Sequence, residues 1–207
     1  MITRRFAATR DTIACYGDSL TYGDNAVPRG AKAWPFLLGD SFSPHAAIAN
    51  MGVGGYTSTQ IAARVSAYPG LHAMPTIIWA GRNNYASPTT VKSDIAAMVA
   101  QLNTDKFMVM SVINAHRTNE LLGQANYNII MALNADLAEL YGANYYDIRS
   151  DLVAAYDPNI AQDVQDFADD VPPTSLVDDG LHFNNAGSVV VKNLIRAEIV
   201  ARQWFQF

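Results

Sequence analysis

The sequence predicts an α/β domain, a three-layer α/β/α sandwich around a five-stranded, mainly parallel sheet. Three observations carry this expectation. Short apolar runs alternate with stretches of helical period, the pattern of strands joined by covering helices. The 207 residues suit a single domain, 1–207. Half of them (50%) are hydrophobic and only 16% are charged, enough apolar material to cover both faces of a sheet.

In chain order, strands are expected at 12–16, 46–51, 76–80, 107–113 and 144–147. Helices are expected at 33–41, 57–67, 89–102, 123–141 and 185–204. Ser87-Pro88 is a start signal for the third helix and Gly142 a stop signal for the fourth. There is no internal repeat and no low-complexity tract. One segment differs in composition. It carries Asp157, Asp163, Asp166, Asp169, Asp170, Asp178 and Asp179 among Pro158, Pro172 and Pro173. It reads as a long solvated acidic loop with at most a short helical turn, and a lid spanning 157–178 is the functional alternative. The spacing lacks the D-x-[DN]-x-[DN]-G pattern of a calcium loop.

Composition also excludes whole classes of function. A net charge of -5 is wrong for a nonspecific nucleic-acid binder, which needs a basic face. Cys15 is the one cysteine, so no intrachain disulfide can form; inside an apolar run it reads as a small buried hydrophobe. No run reaches the ~18 apolar residues of a membrane span. Residues 1–10 are basic but lack an apolar region behind them, so no signal peptide is expected. A cytoplasmic life, a mature exported form and a domain of a larger protein all stay open. Glycines after the second strand fit neither a P-loop nor a dinucleotide fingerprint, and no Cys/His cluster is present, so no cofactor and no metal are expected. The oligomeric state is left open.

The chain is organised around residues 12–23, TIACYGDSLTYG. An apolar run ends on Gly17 and at once presents Asp18 and Ser19, at the sheet edge where ligands bind in open α/β folds. A serine after a strand is usually a turn residue or a helix cap. Asp179-Gly180-Leu181-His182, near the other end of the chain, changes that reading. A serine hydroxyl needs a base to take its proton, and a neutral histidine needs a partner to fix its tautomer. An Asp three residues before a His can reach the same imidazole if the segment turns, as Gly180 allows.

Four blocks in order carry a resemblance. They are Gly17-Asp18-Ser19-Leu20, then 50–57 (NMGVGGYT), then Gly81-Arg82-Asn83-Asn84, then Asp179-x-x-His182. Together they cover most of the chain, and the sequence resembles the SGNH (GDSL-type) hydrolases. The resemblance implies a flavodoxin-like sheet and a serine esterase chemistry. Ser19 would be the nucleophile, His182 the general base and then acid, and Asp179, rather than its neighbour Asp178, the group that orients His182. The oxyanion hole would be the N–H groups of Ser19 and Gly55 and the side-chain amide of Asn83. The third block departs from the family's usual G-x-N-D at Asn84, which puts the bonding of that loop in question. The serine lacks the G-x-S-x-G elbow of the α/β-hydrolases, since Thr21 follows it by two.

Around these blocks, Asp18 should bond neighbouring loop backbone and Asn50 the first loop. Possible substrate contacts are Asp18, Tyr22, Tyr56, Arg82, Tyr85 and His116. Arg82 could meet an anionic group or simply face solvent. His116 follows the fourth strand at the same edge as Ser19. His45 and His72 fall in connections and are expected at the surface; Trp79 is expected in the core. No long apolar loop is present to line a fatty-acyl channel. The expected substrate is therefore a small-molecule or polysaccharide acyl ester, above all O-acetyl on carbohydrate. A lipase or thioesterase acting on longer acyl groups, and a catalytically silent carbohydrate-binding module, are the alternatives.

Overall fold

The structure, a computed structural model, describes residues 10–205. The stretch 1–9, on which the expectation about a signal peptide falls, lies outside the described residues. Five strands form the sheet: β1 (Arg10–Gly17), β2 (Ala46–Asn50), β3 (Thr76–Trp79), β4 (Phe107–Met110) and β5 (Tyr145–Tyr146). Their spatial order is β2-β1-β3-β4-β5 and every pairing is parallel. The chain steps from β1 to one side, then returns past it to β3. The carboxyl ends of β1 and β3 therefore flank the point where the winding reverses, the crevice that open α/β sheets use for ligands.

The helices between strands are α1 (Ser19–Tyr22), α2 (Arg29–Lys32), α3 (Trp34–Asp40), α4 (Ser58–Ala67), α5 (Pro88–Val99) and α6 (Ala125–Tyr141); α7 (Ile148–Ala154), α8 (Ala161–Ala168) and α9 (Asn185–Ala201) follow β5. Successive strand residues point to opposite faces, so the apolar runs divide into two cores. Ile13, Cys15, Ile77, Trp79, Met108 and Met110 pack with Trp34 and Leu38 of α3, Leu152 of α7, and Val191, Ile195 and Ile199 of α9. Ala14, Tyr16, Ile78 and Val109 pack with Ile61 and Val65 of α4, with Val91, Ile95 and Met98 of α5, and with Ile130, Leu133 and Leu137 of α6. The helical residues recur at spacings of three and four, the stripe one helix face presents to a sheet. Each fully buried Val, Leu or Ile among them stabilises the fold by roughly 1.5–3 kcal/mol. Cys15 is buried as expected, and burial raises its thiol pKa. No helix among the described residues is long and apolar enough to cross a membrane.

Three expectations need correction. Strand β4 stops at Met110 instead of running to 113. Beyond it the Val112 N–H and C=O are both taken by the Asn134 side-chain amide of α6, at 2.8 and 2.9 Å, so a side chain replaces a strand neighbour. The acidic segment is not a plain solvated loop. It holds α8, and two of its aspartates are buried acceptors. Asp163 receives the Asp157 N–H, the Ser175 N–H and the Ser175 hydroxyl; Asp166 receives the Thr174 N–H at 2.6 Å and the Gln162 amide at 2.8 Å. These bonds tie α8 to the turn at 174–176. His72 is buried, its Nε2 2.9 Å from the Val65 carbonyl, whereas His45 is exposed beside Asp40 as expected.

The loop after β2 is seated against α1 by the absence of a side chain. A Cβ on Gly52 would stand 2.3 Å from the Tyr22 backbone nitrogen, whereas one on Gly54 would meet only the Asp24 carboxylate at 3.1 Å. A Gly52→Ala variant should therefore lose several degrees of melting temperature and most of its ester turnover, because backbone must move. Gly54→Ala should change both far less, since one flexible side chain can yield. Thermal melts and a nitrophenyl-ester assay of the two variants check this, and equal effects would contradict it.

Candidate active site

Ser19 is the first residue of α1, directly after β1. Asp18 caps that helix, accepting the Leu20 N–H at 3.0 Å, and Leu20 in turn accepts the Trp34 indole N–H at 2.9 Å. The serine is thus fixed from both sides at the carboxyl end of a buried strand, and it is only 6% exposed. Asp179 and His182 arrive on the turn before α9. An antiparallel bridge between Val177 and Phe183 closes this turn, with the Asp178 N–H on the His182 carbonyl. Gly180 takes the positive φ of 79° that the reversal requires. One Asp179 oxygen accepts the N–H groups of Leu181 (3.1 Å) and His182 (2.8 Å); the other lies 2.7 Å from His182 Nδ1.

His182 Nε2 lies 2.8 Å from Ser19 Oγ, across 163 residues of sequence. Desolvation pushes the Asp179 carboxyl up, but the N–H bonds and the His182 ring outweigh it and hold the group at about 2. An ionised Asp179 puts the ring proton on Nδ1 and leaves Nε2 to accept from the serine hydroxyl.

The three donors expected for the oxyanion lie in segments that follow β1, β2 and β3. The N–H groups of Ser19 and Gly55 donate to no other group among the described residues. Asn83 gives one amide hydrogen to the Tyr56 carbonyl at 2.9 Å, which fixes the amide and leaves its second hydrogen available. Asn84, the departure in the third block, is bonded through both its oxygen and its nitrogen. It accepts the Ser58 N–H at 3.0 Å and donates to the Ser58 hydroxyl at 2.9 Å, tying the loop after β3 to the start of α4. Asn50 bonds the first loop as anticipated, donating to the Tyr22 carbonyl at 3.4 Å.

The remaining candidates divide. Tyr22 lies beneath the Arg29 guanidinium, 3.9 Å from the ring centre. Tyr56 and Tyr85 are half-buried in the loops after β2 and β3. Arg82 is neither a solvent-facing arginine nor a free anion receptor. Its side chain is buried and forks onto Glu120, at 2.7 and 2.9 Å. Glu120 also accepts the Ala115 N–H at 2.8 Å and the Tyr85 hydroxyl at 3.1 Å. His116 has a carboxylate beside it after all: Nδ1 is 3.5 Å from Asp166, while Nε2 is 2.6 Å from the Pro172 carbonyl. Its N–H bonds the Gly180 carbonyl at 2.9 Å, so it braces the turn that carries His182. Asp18 is 1% exposed, and its second oxygen has no partner. Burial pushes its pKa up to about 6, although the Leu20 N–H and the Arg82 and His182 charges pull it down. Among the described residues no group of three or more His, Cys, Asp or Glu side chains could hold a metal.

Glu120 is the one organiser of this edge that the sequence did not reveal. It sits in a polar stretch, Arg117-Thr118-Asn119-Glu120, that gives no sign of burial. Only its place soon after a strand end, with an arginine in the loop before that strand, could have pointed to it.

Comparison with known proteins is consistent with this geometry. The family model described as GDSL-like Lipase/Acylhydrolase matches residues 15–190. A tail spike protein of Salmonella phage epsilon15 is 31% identical over 111 residues, which are 51% of this chain; the match spans only 10% of that protein. Among solved structures, a lipolytic protein of the G-D-S-L family from Desulfitobacterium hafniense DCB-2 is similar with a TM-score of 0.68 and 16% identity, over 91% of this chain and 99% of that one. The psychrotrophic esterase EstA from Pseudoalteromonas sp. is similar with a TM-score of 0.66 and 15% identity, over 94% and 100%. At these identities the structures speak for the fold, a three-layer α/β/α sandwich, and the family model speaks for the lineage. The chain belongs to the GDSL-like lipase/acylhydrolase (SGNH hydrolase) family.

Proposed function

We propose that the enzyme removes short acyl groups, O-acetyl above all, from carbohydrate through an acyl-enzyme on Ser19. The observation that carries the reading is the unbroken line Ser19 Oγ–His182 Nε2 (2.8 Å) and His182 Nδ1–Asp179 (2.7 Å). In this reading His182 takes the serine proton as Oγ attacks the ester carbonyl, and Asp179 stabilises the imidazolium that forms. The oxyanion of the tetrahedral intermediate is received by the N–H groups of Ser19 and Gly55 and the free hydrogen of the Asn83 amide. Collapse breaks the C–O bond, and His182 returns the proton to the leaving alcohol. Water then attacks the acyl-enzyme, giving its proton to His182, and a second collapse releases the acid and restores Ser19.

The carbohydrate reading draws support from the space beside Asn83. That cavity is about 250 Å³ and is lined largely by polar side chains, Arg82, Asn84 and Arg117 among them. It suits a polar ring and offers no apolar channel to a long acyl chain. A second reading, a lipase or thioesterase acting on longer chains, draws on a wider cleft of about 490 Å³ that includes Tyr22 and Phe36.

Three experiments test these assignments. Hydrolysis of 4-nitrophenyl acetate, butyrate and octanoate should be fastest on acetate and should vanish in Ser19→Ala, which should keep its melting temperature. Rates that climb with chain length would favour the longer-chain reading, and equal rates in wild type and variant would remove Ser19 as nucleophile. Asn83→Ala should lower kcat by about 10²–10³ with little change in KM, as for a donor used in the transition state; a pure KM effect would make it a ground-state contact.

The third concerns Asp18. Its carboxyl is raised from 3.8 to about 6 in the fold, so the folded state holds the proton more tightly than the unfolded chain. Stability should fall as pH rises from about 4 to about 6, and the deficit should persist above that. Asp18→Asn keeps an acceptor for the Leu20 N–H and removes the charge. Its melting temperature relative to wild type should be higher at pH 8 than at pH 5 by roughly 3–5 °C. An identical offset at both pH values would show that Asp18 carries no such penalty.

A further inference from the structure

We propose that the cavity beside Asn83 is a subsite for a carboxylate-bearing sugar, with Arg117 as the residue that recognises the acid. The inference rests on the esterase reading above and names the class of its substrate. It comes from a charge count. Glu120 is fully buried, and its acceptor positions are filled by both terminal nitrogens of Arg82, the Ala115 N–H and the Tyr85 hydroxyl. Arg82 and Glu120 therefore cancel at the base of the cavity.

Arg117 is left over. Its guanidinium is 3.7 Å from the nearer Glu120 oxygen, beyond hydrogen-bond length, and its side chain is 61% exposed. No acidic side chain lines this cavity, so one positive charge stands uncompensated there on a chain whose net charge is -5.

Position makes this charge relevant to the reaction. The same cavity is bounded by Asn83, the proposed oxyanion donor, and by Leu181, which lies between Asp179 and His182 in the chain. The backbone of Arg117 is held at both ends: its N–H bonds the Ala115 carbonyl and its carbonyl receives the Glu120 N–H, each at 2.7 Å. The guanidinium is thus presented from a fixed base. At about 250 Å³ the cavity is below the size that buries a drug-sized ligand, and suits a single sugar ring. Because Arg117 stands exposed at its rim, it meets the sugar part of the ester, which continues outward, and not the small acyl group. A planar fork of N–H donors matches a sugar carboxylate in two parallel bonds.

Binding tests this without turnover. Methyl glucuronoside and methyl glucoside, each carrying one O-acetyl group at the same position, are titrated into the Ser19→Ala variant by calorimetry. The uronate should bind about fivefold more tightly at low salt, the worth of one exposed charge pair. The preference should shrink in 0.5 M sodium chloride. Adding Arg117→Gln should bring the two affinities together, and Arg117→Lys should restore part of the difference. Equal binding of the two sugars, no binding of either, or a preference that survives Arg117→Gln would overturn the proposal. The esterase reading stands or falls separately, on 4-nitrophenyl acetate hydrolysis by the wild type.

Discussion

A stack of three aromatic rings ties together the segments that carry Ser19 and His182. Trp34 meets Trp79 edge to face with centroids 6.2 Å apart, and Trp79 lies near-parallel to Phe183 at 5.9 Å. Each ring belongs to a different part of the chain: α3, β3 and the turn that bears His182. Trp34 also donates to the Leu20 carbonyl and Trp79 to the Ser111 carbonyl. One buried column therefore fixes α1, which carries Ser19, and the residue next to His182. Aromatic pairs of this kind contribute about 0.5–1.5 kcal/mol each beyond their burial. Their greater consequence is geometric. A hydrogen bond between side chains 163 residues apart survives only if neither backbone can drift.

A second column, polar this time, does the same for the other half of the edge. Glu120 gathers Arg82 from the loop after β3, Ala115 from the loop after β4, and Tyr85. Losing one member of a buried ion pair costs about 3–5 kcal/mol because the other charge is stranded. The loop that presents Asn83 is thus locked to the loop that presents His116 and Arg117. His116 then reaches the turn at Gly180, and a Cβ at Gly180 would already stand 3.0 Å from the His116 Cβ. The two columns meet at the Asp179–His182 turn.

Most of the fold was legible because its signals are local. Strand positions at 46–51 and 76–80 follow from apolar runs, and α4, α5, α6 and α9 from stripes at helical spacing. The first three blocks were legible because each follows a strand, so that a parallel sheet brings them to one edge; the fourth was legible from its Asp-x-x-His spacing and arrives on the turn before α9. What escaped was decided by tertiary partners. The chain at 111–113 has strand-like composition, yet Asn134 satisfies its backbone and ends the ladder. Asp163 and Asp166 look like solvent-facing charges until Ser175 and Thr174 fold back onto them. Arg82 is an arginine at a variable loop position, and no pattern in the sequence says that Glu120 lies buried beneath it.

The edge also departs from the usual rule that buried polar groups are satisfied. One buried Asp18 oxygen has no partner, and the N–H of buried Ser19 donates to no group among the described residues; the N–H of Gly55, an exposed residue, is likewise without a partner there. The satisfied groups, Asn84, Asn50, Glu120 and Asp179, hold loops; in the mechanism proposed above, the unpaired N–H groups are the ones that receive the ester oxygen. Donors that found partners within the fold would have to break those bonds during the reaction and would return little to the transition state. Leaving a buried group open costs stability in the resting protein, and the two buried columns supply rigidity around it. On this argument the aromatic stack and the Arg82–Glu120 pair belong to the function as much as to the fold. They keep the donors aimed when nothing is bound.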